Sequence, residues 1–149
     1  MMLNKFVISI LIFFISIGYA NAAQNVWQTW SGKSVGVQNA TFFGIDGKNY
    51  SLQLTCFNKI NSEGNSNIIL YYGGRALDDF KISVKGHVYE STDGQIEMGS
   101  RLADLEFSKL LDDIRTAKDI TFIDGSASIT IKNNKSKIIP NPSGGNFCK

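Results

Sequence analysis

Between residues 50 and 56 every second side chain is apolar: Tyr50, Leu52, Leu54 and Cys56 alternate with Ser51, Gln53 and Thr55. Alternate residues of a strand lie on opposite faces, so the segment predicts a half-buried strand with Cys56 turned inward beside the leucines. "FKISVK" repeats the pattern, with Phe80, Ile82 and Val84 inward and Lys81, Ser83 and Lys85 outward. "NIILYY" is a short apolar run that fits a strand, and "NVWQTW" and "KSVGV" are two more candidates.

Asp-Gly punctuates this pattern three times, at Asp46-Gly47, Asp93-Gly94 and Asp124-Gly125. Both residues tolerate the positive φ of a two-residue hairpin loop, so three hairpins are expected. With Asp124-Gly125 as the loop, Phe122 faces Ala127 and Ile120 faces Ile129. Thr121 then faces Ser128, and Asp119 faces Thr130. That register sorts both strands into an apolar and a polar side. At Asp93-Gly94 a two-residue loop would set Glu90 against Glu97, an unfavourable like-charge pair, so a longer loop or a bulge is expected there.

The period changes to a helical one in "RLADLEFSKLLDDIRTAK", where Ala103, Phe107, Leu110, Leu111 and Ile114 share a stripe. Ser100 is suited to the N-cap, and Asp104 and Glu106 at the start with Arg115 and Lys118 at the end match the macrodipole. Leu105 falls on the polar side, as do Asp112 and Asp113, which read as solvated charge. The order predicts an α+β fold: a mainly antiparallel sheet of about six to eight strands with the helix packed on one face.

The two ends depart from these patterns. Residues 1–22 carry one cation, Lys5, an apolar run from Phe6 to Ile17 and the small-x-small triplet Ala20-Asn21-Ala22. Those are the parts of a cleaved secretory signal peptide, which leaves residues 23–149 as one β-rich domain in the periplasm or outside the cell. The apolar run falls short of the ~20 residues of a spanning helix, so no membrane span is expected after cleavage. At the other end "PNPSGGNFCK" holds two prolines and two glycines and can gain order only by being tied down. Cys56 and Cys148 are the only cysteines. In an oxidising compartment they are expected to form a disulfide that tethers the tail across the core, worth about 4–5 kcal/mol at most in the chain-entropy model.

Fifteen Lys and Arg against 13 Asp and Glu, with no long run of one sign, argue against nucleic acid as a partner. "SGKS" lacks the upstream glycine of a phosphate loop, since Trp27 stands in its place. His87 is the only histidine. No cluster of His, Cys and carboxylates at ligand spacing accompanies it, so neither metal nor cofactor is expected. No nucleophile-elbow pattern supports catalysis.

What remains is a set of aromatic residues with an arginine. Trp27, Trp30, Tyr71, Tyr72 and Arg75 form a candidate binding surface, because neighbouring aromatics on a strand cannot all face inward. The expectation is an exported, non-catalytic protein that recognises another protein, as an inhibitor or immunity-type partner in the bacterial envelope or at host contact. The alternatives are a structural accessory subunit of an envelope secretion or surface assembly, and a small periplasmic hydrolase.

Overall fold

A computed structural model describes residues 24–34, 37–57 and 65–142. The fold is α+β: two antiparallel sheets and one helix enclose a single apolar core. The described residues form ten strands where six to eight are expected, because several short segments pair as well.

The larger sheet is a meander. Strands β1 (Gln28–Ser34), β2 (Val37–Gly47), β3 (Tyr50–Phe57), β4 (Asn67–Tyr72) and β5 (Arg75–Ala76) follow in spatial order. The alternation in β3 places Leu52, Leu54 and Cys56 fully inside, beside Ile45, Ile68 and Leu70 of the neighbouring strands. "KSVGV" is not a strand of its own: Lys33 and Ser34 end β1 and Val37 begins β2, with Ser34 paired to Val37, while residues 35 and 36 lie outside the described residues. Gly73 and Gly74 form the β4–β5 loop, with φ of 55° and 81°.

The smaller sheet has the order β10-β9-β6-β7, built from β6 (Lys81–Val84), β7 (His87–Glu90), β9 (Asp119–Asp124) and β10 (Ala127–Lys132). Phe80 and Ile82 bury their side chains, as do Ile120 and Phe122. Lys85, expected as an outward strand residue, instead forms the β6–β7 loop with Gly86, at φ of 50° and 77°. Tyr50 and Phe122 approach to 6.2 Å between ring centroids, where the two sheets meet in the core.

Hairpins form at Asp46-Gly47 and Asp124-Gly125, each with its loop displaced from the Asp-Gly pair, whereas Asp93-Gly94 turns the chain without making one. Gly47 still belongs to β2 and pairs with Tyr50, and the turn passes to Lys48-Asn49, at φ of 49° and 69°. The glycine is required for close approach: a Cβ there would lie 2.5 Å from Ile131 Cγ2. At the last pair the loop is Gly125-Ser126, so Phe122 faces Ile129 and Ile120 faces Ile131. The register slides by two residues, which keeps every side chain on its expected face. Thr121 then meets Thr130, with 2.8 Å between their hydroxyls, and Asp119 meets Lys132 at 2.9 Å.

Asp93-Gly94 does make a tight turn, with φ of 50° and 79° and a bridge between Thr92 and Gln95, but the strands do not continue as a hairpin. The turn carries the chain from one sheet to the other. Strand β8 (Ile96–Glu97) joins β4, so Glu97 lies opposite Asn67, while Glu90 lies opposite Lys81 and bonds it at 2.7 Å. The like-charge clash is thereby avoided.

Helix α1 (Arg101–Thr116) begins as expected, with Ser100 Oγ accepting from the Ala103 N–H. Phe107, Leu110, Leu111 and Ile114 are buried, and Leu105 is exposed. At the other end Asn133 Nδ2 donates to the carbonyls of Ile114 (2.6 Å) and Ala117 (2.8 Å), and Ser136 Oγ to that of Arg115 (3.0 Å). These bonds satisfy carbonyls that a helix end leaves without intrahelical partners. The chain after β10 turns through a short 3-10 segment, Ser136–Ile138, where the Arg115 guanidinium donates to the carbonyl of Ile139.

The leader and Cys148 lie outside the described residues, as does the tail beyond residue 142. The signal peptide and the disulfide-tethered tail are therefore carried forward as parts of the proposal below. No helix among the described residues is long and apolar enough to cross a membrane.

Candidate functional site

The aromatic set does not converge. Trp27 is only 2% exposed, and its indole Nε1 donates to Asn133 Oδ1 at 2.6 Å, so it belongs to the core and not to a binding surface. Its burial follows from the segment before β1 crossing under the core, held by a Trp27 N–H to Asn134 carbonyl bond of 3.0 Å. Trp30 lies in β1 opposite Phe42, at one edge of the large sheet. Tyr71, Tyr72 and Arg75 lie at the other edge, in the β4–β5 hairpin. Tyr72 and Arg75 are exposed, Tyr71 is half-buried, and Tyr72 packs on Tyr50 with ring centroids 4.8 Å apart.

A different group of residues does come together, on the β6–β7 hairpin and the face of α1 beside it. Asp113, expected in solvent, is 5% exposed. Its Oδ2 accepts from Tyr89 Oη at 2.6 Å and lies 2.7 Å from His87 Nδ1. Lys85 Nζ is 3.8 Å from Oδ1 and donates to Thr116 Oγ1 at 3.0 Å. The carboxylate borders the apolar stripe, three residues after Leu110 and one before Ile114. Its burial is tolerable because donors from the hairpin surround it. Burial pushes the Tyr89 hydroxyl well above the usual tyrosine range, and the bond to Asp113 pushes it the same way.

Asp113 occupies Nδ1 and so orients the ring with Nε2 turned away from the carboxylate, as a polar group free to hydrogen-bond a ligand. The His87 side chain is 46% exposed, and Nε2 has no partner among the described residues. It borders a groove of about 500 Å³ between β7 and α1, lined also by Val88, Tyr89, Ile96, Glu106 and Lys109.

The outer wall of this groove is a sheet edge. Strand β7 has no further neighbour among the described residues. Val84 and His87 close a two-residue loop, and the Ser91 N–H bonds the Phe80 carbonyl at 2.9 Å. The backbone groups of His87, Tyr89 and Ser91 therefore face β6, and those of Val88 and Glu90 face away from the sheet.

Sequence reading placed Cys56 correctly on the buried face but missed Asp113 as the partner of His87. The signal was present in the spacing of His87 and Tyr89: two polar-tipped rings on one face of a strand need an acceptor on whatever packs there. Among the described residues no three His, Cys, Asp or Glu side chains lie close enough together to hold a metal ion. Comparison with known protein families, characterised proteins and solved structures finds no match.

Proposed function

We propose that this chain is an exported binding protein, processed after Ala22, that recognises another protein without catalysis. The supporting observation is the groove between α1 and the open edge of β7, where backbone donors and acceptors of Val88 and Glu90 point outward. The leader motif supports export. The inward position of Cys56 supports a structural bridge to Cys148 in an oxidising compartment. An inhibitor or immunity-type role is the form of recognition that best fits a small rigid scaffold.

The test is capture from envelope extract with the mature chain and with Val88→Pro, which removes an outward N–H that the ladder does not use. A partner held by the first and lost by the second is expected. Capture that is indifferent to the substitution removes the groove from the reading. Mass spectrometry of the natural product should find Ala23 at the amino end and no alkylatable thiol without reductant.

The open edge also serves the accessory-subunit reading, which self-association at micromolar concentration would favour over a monomeric binder. A hydrolase reading is favoured by one observation, the Asp113 carboxylate that orients His87. It predicts ester cleavage that falls to the background rate in His87→Ala.

A further inference from the structure

We infer that the occupant of the groove is an extended segment of the partner that adds as a strand to β7, with a hydroxyl-bearing residue opposite His87. This rests on the protein-recognition reading above and specifies its ligand. Three observations on the same few residues carry it.

The first is hydrogen-bond complementarity. Val88 and Glu90 present two N–H and two C=O groups in the spacing of an antiparallel or parallel ladder, and only another extended backbone matches that row. The second is the condition of the edge. The pairing of β7 with β6 runs without a register break from Lys81↔Glu90 to Val84↔His87, and "HVYE" contains neither proline nor lysine. The edge strand β1, by contrast, is broken by a register shift between Gly32 and Ser34, and the edge strand β10 ends in Lys132. Bulges and lysines are among the devices that keep edges unpaired; β7 has neither of these, and its protection is limited to its four-residue length and the terminal Glu90.

The third is the chemistry of the groove on its helix side. Side chains of an added strand alternate, so every second one turns towards α1 and meets His87, Glu106 and Lys109. Glu106 and Lys109 carry opposite charges one helical turn apart and together select no net charge. His87 is different, because Asp113 holds its Nδ1 and leaves Nε2 as the ring's polar atom without a protein partner among the described residues. A serine or threonine hydroxyl both donates and accepts, so it pairs with Nε2 whichever way that bond runs, and threonine is also at home on a strand.

The experiment uses the mature chain and a phage-displayed library of random linear peptides as the probe. Selected peptides should carry Ser or Thr at a constant position within β-branched or aromatic neighbours. Replacing that residue by Ala should weaken binding to the wild type by about three- to tenfold, the range of one hydrogen bond. The same replacement should have no effect in His87→Phe. Val88→Pro should abolish binding. On the unaltered protein the Val88 and Glu90 amides should slow in hydrogen exchange when peptide is bound, a measurement that does not depend on any variant folding. Peptides that bind Val88→Pro equally well, or that leave both amides unprotected, overturn strand addition while protein recognition elsewhere stands. A library that yields no enrichment over a column without protein also overturns it. A hydroxyl preference that persists in His87→Phe overturns the assignment of His87.

Discussion

Trp27 and Asn133, 106 positions apart in the chain, are joined inside the core by a 2.6 Å hydrogen bond from indole to amide. The same amide closes the carboxyl end of α1 through its two bonds to Ile114 and Ala117. One side chain thus ties the segment before β1, the end of β10 and the helix together. Removing it strands an indole N–H and two carbonyls away from water. Asn133→Ala is expected to cost about 2–4 kcal/mol, more than Trp27→Ala loses through its polar atom alone, because three partners go unmet. Urea denaturation checks the value. An effect within about 0.5 kcal/mol would mean that the amide is not the junction described.

Asp113 holds the β6–β7 hairpin against α1. Asp113→Ala removes the acceptor shared by His87 and Tyr89 and should destabilise by about 2 kcal/mol, the lower part of the range for bonds to a charge because His87 and Lys85 are partly in solvent. Asp113→Asn keeps an acceptor oxygen and should cost less. In a double-mutant cycle with Tyr89→Phe the two losses should fall short of additivity, since both delete the same bond.

Gly47 tests close packing between the sheets. Gly47→Ala drives a methyl group into Ile131 and should cost about 1–3 kcal/mol. Combined with Ile131→Ala, which removes the obstructing atom, the alanine at 47 should add little further loss. Thermal unfolding of the four proteins in the cycle gives the answer.

Alkaline pH should weaken the fold. Burial, reinforced by Asp113, raises the Tyr89 hydroxyl above its ordinary value, and burial, reinforced by Asp124, raises that of Tyr50. Below about pH 10 both are protonated folded or unfolded, and their contribution is complete. Above it the unfolded chain releases protons that the folded chain retains, so stability falls as pH rises. The urea midpoint should decline from about pH 10 upward, and Tyr89→Phe should flatten that decline.

The sequence disclosed faces more reliably than turns. Leu52, Leu54, Cys56, Phe80, Ile82 and the helical stripe from Phe107 to Ile114 all lie inside as their spacing requires, because each pattern is a local record of which side meets the core. Asp-Gly marked the tight turn at Asp93-Gly94, but at the other two pairs the loop falls one or two residues later; Gly47 stays in its strand close to Ile131, and the turn is Lys48-Asn49. The switch of the chain between sheets at Asp93-Gly94 left only the like-charge conflict of Glu90 and Glu97 as a sign. The site was hidden for a related reason. Asp113 looks like any helical surface charge until the hairpin that covers it is in place, and Trp27 looks available until Asn133 is found beneath it.

The smaller sheet is made of two hairpins, and the chain builds the cross-sheet turn and α1 between them. A nascent polypeptide appearing amino end first can therefore complete its long meander while β6 still waits for β9, its partner on the inner side. Until β9 is synthesised, Ile82 has no Phe122 opposite it and the half-made sheet offers a second open flank. A chain that stops before β9 is left with an adhesive strand at β6, so the smaller sheet is closed only by the residues from Asp119 onward.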